Sequence, residues 1–150
     1  MYTIEEFEEI DKYKTKVLKY VLYKKRTKYE IIQKFSNDIP ERILEIILED
    51  LEENGYIGDE KYIERAVDEF MALKTLSIKE IKYKLLSKGI KSNIIEDYFQ
   101  NNKEELQEYE KRCVIKIIAK KQNEMDEYEI KNFLRKKGYQ EESIYEAFNN

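Results

Sequence analysis

Three observations on this 150-residue chain predict an all-α fold of three tandem three-helix repeats stacked into an elongated array. Four glycines and one proline leave little material for turns, and Lys, Glu, Ile, Leu and Tyr dominate. Apolar residues recur at helical spacing throughout, which argues against disorder even though 40% of residues are charged. Finally, a helix-capping box occurs three times, each copy in register with its own hydrophobic followers. Ser77 and Glu80 have the spacing at which a hydroxyl accepts from the third backbone N–H while the carboxylate reaches back to the capping N–H. Thr27 with Glu30 and Asp126 with Glu129 repeat it, at separations of 50 and 49 residues. Ile31, Ile81 and Ile130 stand one place past these acids, and Phe35, Leu85 and Leu134 follow four further on. A chain built from one unit copied at this period is a repeat array. Its predicted units are 12–55, 56–102 and 103–150. Units of about 50 residues are marginal alone, so stacking supplies their stability.

The acidic stretch 1–11 forms a short helix or frays. A first helix is expected from near Lys12 to Lys25, burying Val17, Leu18, Val21 and Leu22. Thr27 caps the second, which ends near Ser36. Pro40 suits the first turn of the third helix, over about 41–54, where its missing N–H is not needed. That helix buries Ile43, Leu44, Ile46, Ile47, Leu48 and Leu51, and Asn54-Gly55 closes it. Tyr56-Ile57-Gly58-Asp59 is the joint to the second unit, with Asp59 as cap of a helix burying Ile63, Ala66, Val67 and Phe70. Ser77 then opens a helix with Ile78, Ile81 and Leu85 on one face, stopped by Lys88-Gly89. Ile94, Ile95, Tyr98 and Phe99 form the stripe of its partner. The last unit begins with a helix over about 105–121 that buries Val114, Ile115, Ile117 and Ile118, and finishes with helices 127–137 and 141–148.

With no histidine and one cysteine, imidazole or thiol catalysis and ordinary zinc sites are excluded, and no phosphate loop, dinucleotide loop or calcium loop is present. The expectation is a binding protein, not an enzyme, with no cofactor or metal. Cys113 reads as a small buried thiol. The lack of a membrane-length apolar run or an opening leader points to the cytoplasm.

Charge is distributed at the repeat period although the net value is only −4. Residues 12–28 hold eight Lys or Arg, 37–70 hold twelve acids against three bases, and 74–91 return to six lysines against Glu80. Half of this alternation suits the helix dipole, with acids near N-termini and bases near C-termini. The middle unit also differs from its neighbours. Opposite its core face it carries Lys79, Tyr83 and Leu86, where the other copies have Tyr29, Gln33 and Ser36, or Tyr128, Asn132 and Arg135. This second strip is either covered by flanking units, the expected case, or open to a partner.

The run Tyr23-Lys24-Lys25-Arg26-Thr27-Lys28-Tyr29-Glu30-Ile31 resembles the opening motif of the RecX family, regulators of the bacterial recombinase RecA. Asn54-Gly55-Tyr56-Ile57 with Asp59 is similar to the family's joint, and Ile81-Lys82-Tyr83-Lys84-Leu85 with Lys88-Gly89-Ile90 to its central motif. The resemblance spans residues 12–150 in order. Gly58, Lys24, Lys25 and the approach Leu73-Lys74-Thr75-Leu76 depart from the family pattern. The resemblance implies a regulator that lies in the groove of the RecA filament on DNA and curbs strand exchange, ATP hydrolysis and coprotease activity; the chain is expected to be a monomer. The expected partner surface comprises Lys24, Lys25, Arg26 and Lys28, then Lys79, Lys82, Lys84 and Lys88 with Tyr83 and Leu86, then Lys131, Arg135, Lys136 and Lys137. The competing reading is a nucleic-acid binder in its own right, with weak direct contact to DNA through lysine-rich capped helix pairs.

Overall fold

The computed structural model describes residues 2–73 and 75–149, and among these the chain forms nine α-helices and no strand. Lys74, in the approach to the central cap, lies outside the described residues, as do Met1 and Asn150. The helices are α1 (Ile4–Tyr23), α2 (Lys28–Phe35), α3 (Glu41–Glu53), α4 (Asp59–Leu73), α5 (Ile78–Ser87), α6 (Ser92–Asn101), α7 (Lys103–Lys121), α8 (Glu127–Lys137) and α9 (Glu141–Asn149). All three expected capping boxes close, and Ile31, Ile81 and Ile130 are buried. The turns after α3, α5 and α8 use Gly55, Gly89 and Gly138 at φ of +78°, +81° and +93°, a conformation that costs glycine nothing.

Several expectations need correction. α1 begins at Ile4, not near Lys12, because Thr3 and Glu6 form a fourth capping box that carries the helix through the acidic stretch. Leu22 and Ile115 are 65% and 48% exposed. The buried stripe of α1 narrows to Val17 and Val21, and that of α7 runs instead through Leu106, Tyr109, Glu110, Cys113, Val114 and Ile117. Pro40 is the residue before α3. Asp59 does not cap α4; its Oδ1 accepts from the Lys28 N–H at 3.1 Å, so it serves the N-terminus of α2.

α1, α2 and α3 pack on one another, as do α4, α5 and α6, and α7, α8 and α9, with α6 also against α7. The apolar interior nonetheless forms two bodies. One is enclosed by the first triad around Ile31, Ile47 and Leu51. The other runs unbroken from Ile63 in α4 to Ile144 in α9. The last two triads are joined by the Tyr109 hydroxyl of α7, which donates to the Leu76 carbonyl at 2.7 Å, and by Tyr139, between α8 and α9, which donates to that of Thr75.

The second helices of the triads meet end to end. Thr27 Oγ1 accepts from the Glu30 N–H at 3.1 Å and donates to the Lys88 carbonyl, at the end of α5, at 2.7 Å. Ser77 Oγ accepts from Glu80 at 3.1 Å and donates to the Lys137 carbonyl, at the end of α8, at 2.7 Å. Each hydroxyl, fully buried, thus satisfies an orphan donor of its own helix and an orphan acceptor of the next. The positive end of one helix also faces the negative end of another. Two glycines permit the approach. A Cβ at Gly89 would overlap the Tyr29 ring, and one at Gly138 would come within 3.0 Å of the Lys79 side chain.

Candidate partner-binding surface

The second and third basic clusters lie on α5 and α8, whose inner faces are committed to the core, and at their C-terminal ends, whereas of the first cluster only Lys28 is on α2 and Lys24, Lys25 and Arg26 fall in the connection from α1. Their side chains are not equally available. Arg26 is half-buried, its guanidinium 4.2 Å from the centre of the Tyr20 ring. Lys28 pairs with Glu52, and Lys88 lies 3.8 Å from Glu30. Lys82 is held 3.0 Å from Glu96 and sits over the Phe99 ring. Lys131 pairs with Glu127 at 2.9 Å, and Arg135 with Glu141 at 2.6 Å. The Arg135 guanidinium in turn holds the Glu141 carboxyl below its ordinary range. Among the described residues this leaves Lys24, Lys25, Lys79, Lys84, Lys136 and Lys137 as the members of the predicted set without an acidic partner.

The structure brings part of the second and third clusters together, without Lys88, Lys131 and Arg135, and keeps Lys24 and Lys25 of the first apart. Lys79, Lys82, Tyr83, Lys84 and Leu86 of α5 share a groove of about 700 Å³ with Lys136, Lys137 and Gly138 at the end of α8. Lys24 and Lys25 instead border a separate hollow of about 290 Å³ against Tyr62 and Arg65 of α4. The middle strip is open: Tyr83 is 73% and Leu86 47% exposed. Flanking helices therefore do not cover it, contrary to the expected case, because the end of α8 meets α5 at Gly138 and the Lys137 carbonyl.

Sequence reasoning missed a second basic hollow. Lys116, Lys120 and Lys121, at the end of α7, line a pocket of about 470 Å³ with Lys137 and Phe133. The charge run 111–121 was its only signal. Glu110, in the same helix, is fully buried. Its Oε1 accepts from the Gln140 N–H at 3.0 Å, capping α9, while Oε2 has no protein partner. Burial pushes its pKa up to about 7. Burial also raises the Cys113 thiol and the Tyr139 phenol beside it. The placement of Glu110 between Leu106 and Val114 at helical spacing was the clue. No cluster of metal-ligating residues occurs among the described residues, and none of the described helices is long and apolar enough to cross a membrane.

No family model matches the chain. It is similar to a regulatory protein RecX of Streptococcus agalactiae, 33% identical over 98 residues that cover 65% of this chain and 38% of the relative. A regulatory protein RecX of Staphylococcus carnosus is 27% identical over 139 residues, covering 89% of this chain and 51% of the relative. The chain therefore matches about half or less of the length of these curated relatives. In fold it is similar to the crystal structure of RecX from Lactobacillus salivarius, with a TM-score of 0.82 and 26% identity, covering 95% of this chain and 96% of that one. A second RecX crystal structure gives a TM-score of 0.76 at 22% identity, over all of this chain and 81% of the other.

Proposed function

Because the chain carries the sequence and the fold of the RecX family, we propose that it regulates the RecA recombinase as an inhibitor. In this reading it binds in the groove of the RecA–DNA filament and curbs strand exchange, ATP hydrolysis and coprotease activity, within recombination, DNA repair and the SOS response. It acts as a cytoplasmic monomer, without chemistry of its own. Three tandem three-helix units, 12–55, 56–102 and 103–150, form an elongated array suited to a helical groove. The end-to-end contacts of α2, α5 and α8 support that arrangement, since they repeat one junction at the unit period.

The observation that carries the proposal is the agreement of nearly the whole fold with a RecX crystal structure. Purified protein should lower the rate of ATP hydrolysis by RecA from the same organism on single-stranded DNA, and should sediment with the filament. An unchanged rate together with no co-sedimentation refutes it.

A direct nucleic-acid binder is the second reading, and exposed aromatics beside lysines favour it. Tyr23 and Tyr128, 86% and 72% exposed, offer faces on which unpaired bases stack. Binding to naked DNA that exceeds binding to RecA-coated DNA, and falls steeply with salt, would select this alternative.

A further inference from the structure

The geometry points to the α5–α8 groove as a docking site for an acidic polypeptide segment with an apolar centre. Lys79, Tyr83 and Leu86 lie on one stripe of α5, about 10 Å long from end to end. Gly138 lets α5 come so close that the last turn of α8, with Lys136, forms a wall beside that stripe. The result is an apolar floor, made of the Tyr83 ring and the Leu86 side chain, rimmed by Lys79, Lys84 and Lys136. None of these three lysines has an acidic partner among the described residues. An acceptor that would repel an incoming carboxylate, the Lys137 carbonyl, is already occupied by Ser77 Oγ.

Charge complementarity selects the occupant. Free ammonium groups on both walls call for carboxylates on both sides of the segment, and the floor calls for an aliphatic or aromatic side chain between them. A nucleic acid fits less well. Glu80 and Glu96 also line the groove, so evenly spaced phosphates would meet them, whereas a polypeptide can leave those positions neutral. Leu86, half of the apolar floor, offers no face on which a base could stack.

The inference rests on reading the α2–α5–α8 row as the partner face, but its test needs no RecA. The probe is a fluorescein-labelled peptide of about twelve residues, long enough to span the stripe as a helix of about 18 Å. It carries Asp and Glu around two central leucines, and is titrated by anisotropy against the full chain. A peptide with serines for the leucines and an oligo(dT) of similar charge run beside it. The acidic, leucine-bearing peptide should bind best. Tyr83→Ser with Leu86→Ser, and separately Lys79→Glu with Lys136→Glu, should each weaken it about tenfold or more. Far-UV circular dichroism should not change, because all four side chains are exposed. Absence of peptide binding, equal binding of the serine peptide, or tighter oligo(dT) binding lost in the same variants would each overturn the assignment. A chain that curbs RecA turnover yet ignores the peptide refutes this inference alone. Peptide binding with no effect on RecA supports it and refutes the filament reading.

Discussion

Replacing Ser77 separates a hydroxyl that serves one helix from a hydroxyl that joins two. In Ser77→Ala the Glu80 N–H loses its capping acceptor, which costs about 1 kcal/mol. The Lys137 carbonyl, 2.7 Å away, loses its donor as well, for about 1–1.5 kcal/mol more. The sum is about 2–2.5 kcal/mol, or a fall of about 4–10 °C in Tm for a chain of this size. Asp126→Ala is the matched control. Asp126 caps α8 through its contact with the Glu129 N–H at 2.8 Å, but it is exposed and has no proton to give to another helix. That variant should lose about 1 kcal/mol. Ser77→Asp is decisive, because aspartate caps as well as serine but presents an anion to the Lys137 carbonyl. It should be at least as destabilised as Ser77→Ala. Urea unfolding followed by circular dichroism reads all three. A Ser77→Asp protein as stable as the native chain, or equal losses in Ser77→Ala and Asp126→Ala, would refute the two-helix role.

Glu110 predicts an unusual pH dependence. Its folded pKa of about 7 lies above the ordinary 4.5, so the unfolded chain releases this proton first as pH rises. The resulting loss of stability grows between pH 4.5 and 7 and is complete above 7, at about 3 kcal/mol. Glu110→Gln should lack this loss, its urea midpoint gaining on the native protein's from pH 5 to pH 8; parallel curves would exclude it. Leu85→Ala removes a side chain that is 1% exposed from the larger core, and should cost about 2–5 kcal/mol by chemical denaturation. Reversal of Lys79, Lys84 and Lys136 to Glu should weaken co-sedimentation with RecA–DNA filaments and leave helicity unchanged. Reversal of Glu49 and Glu53, on the exposed side of α3, should do little; the opposite ranking would move the partner face elsewhere.

The helices could be read from the sequence because their start signals are local. A capping box closes between residues three apart, so Thr27, Ser77 and Asp126 declared α2, α5 and α8 without reference to the rest of the chain. Helical spacing likewise marked Ile31, Ile81 and Ile130 as core, since a helix shows the same face every three to four residues. The same local logic, applied to Thr3 and Glu6, would have placed the start of α1. What only the tertiary structure decided depends on groups far apart in sequence. Thr27 and Ser77 look like ordinary caps until the carbonyls of Lys88 and Lys137, 61 and 60 residues away, arrive to take their protons. Asp59 looked like the cap of α4 until the Lys28 N–H came within 3.1 Å. Whether a lysine is free or paired turned on Glu52, Glu96 and Glu141, which no spacing rule links to Lys28, Lys82 and Arg135. Tyr83 and Leu86 stand open for the same reason: a strip is covered only if another helix crosses it, and α8 meets α5 at its end instead of along its side.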